Sequence, residues 1–331
     1  MMGFRSFLCV ALGAAAALVL PPGSGAFAQG YPAKHITVKV AFPAGGPADV
    51  SIRAANIVLQ RNLGQPMVAE NVPGAAGSIG VMAVLNAKAD GYTLLGTTGS
   101  DLIIAPFMVA SAKYQPGAFT LLGITGWSDF VLVSSAAYSF KTIDELIDYV
   151  KKPGSKELSL AHWGVGSSPH IVGADFQART ATKFLEVPYK GVAPVLTDLS
   201  GQHVDLSFVP LGGPALELIQ SGKVRAIAIA SDKRNSMLPD VPTIGESAQL
   251  RNFEYGAWTA LFTPRDTPEP VVARLNEAMN AWLASPENLE RISKNGSRRL
   301  ETMTVGQASA FFRNEQEKIG SIVRALKLEP Q

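Results

Sequence analysis

The chain has 331 residues, with 29 lysines and arginines against 27 aspartates and glutamates, four histidines and one cysteine. That near-neutral balance, without a long basic block, argues against nucleic acid and anionic membrane as partners. Cys9 lies in the N-terminal apolar stretch, so the remainder has no disulfide framework, zinc–thiolate site, iron–sulfur cluster or cysteine nucleophile; the length suits two domains.

Arg5 precedes an apolar run over 7–20, helix-breaking Pro21-Pro22-Gly23, and Ala26-Phe27-Ala28. This is the order of a secretory signal, so residues 1–28 are expected to be removed by cleavage after Ala28 from an exported protein. The run is too short to span a bilayer comfortably. Residues 36–42 read as a buried strand, and a helix is expected from about 47 to 62. Further strand-like runs occupy 92–95, 121–124, 131–133, 206–209 and 225–230. Thr142 and Glu145 form a capping box ahead of Ile143, Leu146, Ile147 and Val150 at helical spacing. Thr267-Pro268 and Ser285-Pro286 read as cap-plus-proline helix starts, and Thr304 with Gln307 opens a C-terminal helix. Strand and helix alternating from end to end predict an α/β fold with largely parallel sheets.

Small-residue loops fall where strands end, at 42–49, 73–80, 97–100, 163–170 and 188–191. Open α/β sheets bind ligands beyond the carboxyl ends of their strands. Gly46 before Pro47, and Ser168 before Pro169, read as N-cap and first helical residue. Unpaired N–H groups and the positive dipole end at such starts hold a carboxylate without a buried arginine. Asp49, near the third helical position, complements its own helix dipole. The 74–80 run lacks a G-x-G opening and a carboxylate for a ribose, so no dinucleotide cofactor is expected. No nucleophile elbow occurs in 164–168. His35, His162, His170 and His203 are not at metal-motif spacing, so neither a metal nor catalysis is expected.

Tyr31-Pro32-Ala33-Lys34-His35-Ile36-Thr37, followed by Phe42-Pro43-Ala44-Gly45-Gly46-Pro47-Ala48-Asp49, resembles the start of the Bug-type receptors of tripartite tricarboxylate transporters, which are periplasmic substrate-binding proteins. Leu63-Gly64-Gln65-Pro66, the 70–80 stretch and Ala89-Asp90-Gly91-Tyr92-Thr93-Leu94-Leu95 continue the likeness. So do Gly166-Ser167-Ser168 with His170, Val187-Pro188-Tyr189-Lys190-Gly191, Leu238-Pro239-Asp240-Val241-Pro242-Thr243, Trp258, and Ala273-Arg274-Leu275-Asn276. The resemblance implies an α/β, two-lobe periplasmic binding protein fold with a hinge of two crossing segments. One lobe would comprise 29–129 with 257–331, the other 130–256. It implies a ligand carboxylate held in the first lobe by Phe42, Ala44, Gly45, Gly46, Ala48 and Asp49, by Gly77 and Ser78, and by Thr98 and Ser100. Opposite them would stand Ser167, Ser168 and His170, then Tyr189, Gly191, Val192 and Ala193. It further implies a monomer that passes its ligand to the membrane subunits of such a transporter or to a sensor kinase.

Three departures from the family pattern bear on the ligand. His162 and Trp163 stand where members commonly carry small residues, Val209-Pro210 where many have an aspartate, and Asp129 where a small or apolar residue is usual. Together they point away from an amino acid or citrate and toward a carboxylate with an aromatic or apolar body, with Trp163 against it. A rival reading is a secreted hydrolase of a carboxylate ester using Ser167 or Ser168 with His170, and a carboxylate orienting His170 is its signature. A second rival is a structural exported protein with no apolar cleft.

Overall fold

The computed structural model describes residues 30–326; the signal segment and its cleavage point at Ala28 lie outside the described residues. The chain begins with β1 (Ile36–Val40), α1 (Pro47–Leu63), β2 (Met67–Asn71), α2 (Ser78–Leu85), β3 (Thr93–Thr98), α3 (Gly99–Met108) and the long β4 (Phe119–Ser135). The middle holds α4 (Ile143–Lys151), β5 (Ser159–His162), α5 (Ser168–Thr180), β6 (Leu185–Pro188), α6 (Val192–Ser200), β7 (Leu206–Pro210), α7 (Gly213–Gln220) and β8 (Val224–Ile229). It closes with β9 (Gly256–Pro264), α8 (Glu269–Ala284), α9 (Pro286–Asn295) and α10 (Val305–Leu326).

The strand order is β2-β1-β3-β9-β4-β7-β5-β6, with β8 also on β4. β1 pairs in parallel with β2 and β3, and β5 with β6 and β7, whereas the ladders of β4 and β9 are antiparallel. The arrangement is therefore mixed rather than largely parallel. Up to Asp129, β4 pairs with β9; from Phe130 it pairs with β7 and from Val131 with β8. The runs at 121–124 and 131–133 are thus one strand. Gly126, Trp127, Ser128 and Asp129 between them are only partly buried, because the strand there crosses from one sheet to the other and loses its apolar pattern. The result is a two-lobe α/β fold with two crossing segments, stitched where Phe130 N donates to Tyr255 O at 3.0 Å and Ala230 N to Phe130 O at 2.7 Å.

Local signals explain most helix ends. Thr142 accepts from the Glu145 N–H at 3.2 Å, Ser285 from Asn288 at 3.2 Å, and Thr304 with Gln307 makes a reciprocal box at 2.9 and 3.2 Å. α8 starts at Glu269 with Pro268 as N-cap, later than Thr267-Pro268 suggested, since the Thr267 hydroxyl pairs with Thr263 at 2.7 Å. In the first lobe the core packs α2, α3 and α10 against β3, β4 and β9 around Trp258 and Phe262, and Ile171 of α5 reaches into it. In the second, α4 and α5 cover one face through Phe176 and Phe208, and α6 and α7 the other through Val195 and Leu211.

Candidate ligand site at the junction of the two lobes

In the first lobe the site begins where β1 ends. Gly46 is the N-cap of α1 and Pro47 its first residue, as the sequence suggests. Asp49 is buried and fully engaged: Gly45 N donates to it at 3.0 Å, Arg53 Nε at 2.8 Å and Asn71 Nδ2 at 2.8 Å. Asn71 also donates to the Phe42 carbonyl at 2.9 Å, so this aspartate ties the 42–49 loop to the end of β2. Burial would raise its pKa, but Arg53, the Gly45 N–H and Asn71 hold it below the usual carboxylate value. Ala44 and Gly45 are exposed on the loop, while Ala48 is buried beneath it. Gly77, in the left-handed region at φ 90°, begins α2 against Ala41 and Phe42, and Ser78 is buried on the first turn.

The end of β3 brings in a residue that sequence reasoning did not single out. Thr98 is the N-cap of α3, Ser100 is buried on its first turn, and Asp101 follows. Asp101 leaves its own lobe: one carboxylate oxygen accepts the Ser168 N–H of α5 at 2.6 Å and also the Ser168 hydroxyl. The other oxygen accepts Thr98 Oγ1 at 2.6 Å. Burial pushes the Asp101 carboxyl up, opposed by its hydrogen bonds from Ser168, Thr98 and Trp163. Ser167, not Ser168, is the N-cap of α5. The shift of one residue follows from partners: Ser167 Oγ donates to Gly164 O at 2.6 Å, closing the turn, while Ser168 turns to Asp101.

In the second lobe Trp163 is half-buried, its ring 6.0 Å from that of Phe130. His162, His170 and Glu186 place ligand-type atoms within 4.8 Å of one another. His170 Nε2 lies 3.5 Å from Glu186, which the His170 contact holds below its ordinary pKa. His162 is pushed down to about 4 by burial and by His170. Both imidazoles turn Nδ1 to a backbone N–H, of Gly164 at 3.2 Å and Gly166 at 3.4 Å, which leaves the proton on Nε2. Metal-bound histidines donate from the second nitrogen instead, so this trio suits a hydrogen-bonded cluster rather than a metal centre. Tyr189 donates to Asp198 at 2.6 Å, away from the loop, and burial with Asp198 raises it to about 12. Gly191 is the N-cap of α6, followed by partly buried Val192 and exposed Ala193, and open space lies over Gly191. Gly212 and Gly213 start α7 with φ of 147° and 47°, and Gly213 also faces open space. Gly212-Gly213-Pro214 repeats the Gly45-Gly46-Pro47 pattern, the sequence signal by which this start could have been found.

These groups suit capture better than bond cleavage. Glu186 does stand beside His170, as an acyl-transfer triad would require, but against Nε2, the nitrogen that should face the nucleophile. Ser167 and Ser168 are hydrogen-bonded to Gly164 and Asp101 respectively. At the hinge, a cavity of about 170 Å³ is lined by Trp127, Asp129, Tyr255, Arg298, Glu315 and Lys318, among others. Asp129 already accepts from Arg298 at 2.9 Å and Trp127 Nε1 at 3.1 Å, so its charge is matched within the protein.

Comparison with known proteins agrees with this geometry. The profile described as "Tripartite tricarboxylate transporter family receptor" matches residues 51–328. Protein BugT of Bordetella pertussis is 33% identical over 302 residues, covering 90% of each chain. The structure of the periplasmic binding protein BugD superposes with a TM-score of 0.81 at 32% identity, covering 91% of this chain and 100% of that one. MatC of Rhodopseudomonas palustris, solved with bound malate, gives a TM-score of 0.80 at 30% identity over 88% of this chain and 100% of its own.

Proposed function

Because the chain belongs to the receptor family of tripartite tricarboxylate transporters, we propose that it captures a small organic carboxylate with an apolar or aromatic body in the cleft between its lobes. The observation that carries this reading is the set of glycine-bearing helix starts at the strand ends, with open space over Gly45 of one lobe and over Gly191 and Gly213 of the other. Backbone N–H groups at such starts stabilise an anion, and glycine lets it come close. The first lobe comprises 29–129 with 257–331 and the second 130–256; the β4–β9 ladder ends at Asp129 opposite Gly256, which supports that division. Lobe closure follows from better ligand contacts in the closed state.

The chain is exported, works as a monomer in the periplasm, and presents its ligand to transporter membrane subunits or a sensor kinase. Among the described residues no helix is long and apolar enough to cross a membrane. A carboxylate ligand is also in keeping with malate in MatC. Native mass spectrometry of protein drawn from the cell envelope tests the reading. One small acid, released intact by denaturation, is the expected result. Cleavage of an added ester that disappears in His170→Ala would instead establish a hydrolase.

A further inference from the structure

The reading above leaves open which helix starts receive the ligand, and α5 differs from the rest. Its first N–H, from Ser168, is taken by Asp101 of the opposite lobe. The next residue, Pro169, has no N–H to offer, a feature shared by Pro47 of α1 and Pro214 of α7, so the Asp101 contact is what sets α5 apart. Asp101 is 1% exposed, and the Thr98 and Ser168 hydroxyls also donate to it, so its hydrogen bonds oppose the rise that burial imposes on its carboxyl. The first N–H of α5 is therefore satisfied from within the protein. Beside it the wall is hydrocarbon, formed by Ile104, Phe130, Ile171 and Val172 around a small cavity.

We infer that Asp101 is a specificity-determining residue: it fills the α5 anion seat, so the protein selects ligands with one carboxylate over those with a second carboxylate at the far end. This rests on the cleft being a carboxylate site. A monoacid places its carboxylate at the open starts of α1, α6 or α7 and its apolar end toward the wall. A diacid of the same length brings its second carboxylate toward the buried Asp101 carboxyl, which already holds the first N–H of that helix, and like charges brought together suppress binding.

Matched pairs differing only in the second carboxylate test this: hexanoate against adipate, and benzoate against terephthalate, titrated calorimetrically into the full mature protein. The wild type should favour the monoacid by at least about tenfold. Asp101→Asn, which keeps an acceptor for Ser168 but removes the charge, should shrink that ratio by about tenfold, and Asp101→Ser should shrink it further. Circular dichroism establishes that each variant is folded, and the wild-type ratio is decisive even where a variant is not. A wild type that binds diacid as tightly as monoacid, or a ratio unchanged in folded variants, overturns the assignment of Asp101 alone. If no acid of either kind binds, the carboxylate reading fails and this assignment with it.

Discussion

Asp101 at the start of α3 and Ser168 at the start of α5 are joined across the lobe junction by two hydrogen bonds to one carboxylate oxygen, from the Ser168 N–H at 2.6 Å and from its hydroxyl. The contact makes a helix start of one lobe complementary to an acid of the other. It accompanies apolar packing in the same place, where Ile171 of α5 enters the first-lobe core and Gly166 lies against Met108 and Val109.

The open helix starts give the first prediction. Gly191 has φ 163°, extended backbone that valine adopts, and open space around it. Gly46 at φ −74° is equally permissive, though an added Cβ would sit 3.3 Å from the Pro43 carbonyl. Gly191→Val and Gly46→Val should fold and yet weaken carboxylate binding at least about tenfold, the equivalent of one charged hydrogen bond. Calorimetric titration checks this, and wild-type affinity in both variants would remove these loops from the site.

Gly99 gives a prediction about the scaffold. A Cβ there would lie 1.9 Å from the ring of Trp258, which is fully buried, so the indole and α3 cannot both keep their places. Gly99→Ala should cost about 1–3 kcal/mol through overpacking, read from chemical denaturation. A variant as stable as wild type would mean that the first-lobe core yields there.

Legibility in the sequence followed local chemistry. Proline and capping residues announced the starts of α1, α4, α9 and α10 because each acts through its own neighbours. β2, β5, β6 and β9 were not read as strands. β6 is largely exposed and has no apolar alternation, and β5 spans only Ser159–His162. The loops carrying the candidate site were visible as glycine patterns, but Asp101 was not. Its role depends on Ser168, 67 residues away, and no local pattern encodes such a pairing.

Asp205 gives a pH prediction. Burial would raise its carboxyl, but the Ser159 N–H at 2.8 Å and hydroxyl at 2.9 Å, with Lys156 and Tyr138, hold it below the ordinary value. A carboxylate depressed in the folded state contributes stability above its unfolded pKa of about 3.9, and that contribution is lost as pH falls through the lower folded value. Asp205→Asn should therefore destabilise by about 1.5–3 kcal/mol at pH 7 and by progressively less as pH is lowered below about 4. Denaturation series at several pH values provide the check; a pH-independent difference would assign the loss to packing.

Trp163 tests the nature of the ligand's body. Trp163→Ala should weaken a ring-bearing acid more than a straight-chain acid, by about 0.5–1.5 kcal/mol. Equal losses for both would make Trp163 a support for Phe130 and Asp101 instead of a ligand contact.

The central claim, that the cleft holds a carboxylate with an apolar body, is tested most directly by a thermal-shift screen of purified protein. Monocarboxylates, aromatic and aliphatic, would each be paired with the corresponding amide. At 100 times its dissociation constant, a bound acid adds about 2.7 kcal/mol of stability. The account predicts that at least one acid raises the melting temperature while its amide does not. Stabilisation by amides as strongly as by acids, or by none of the carboxylates, would contradict it.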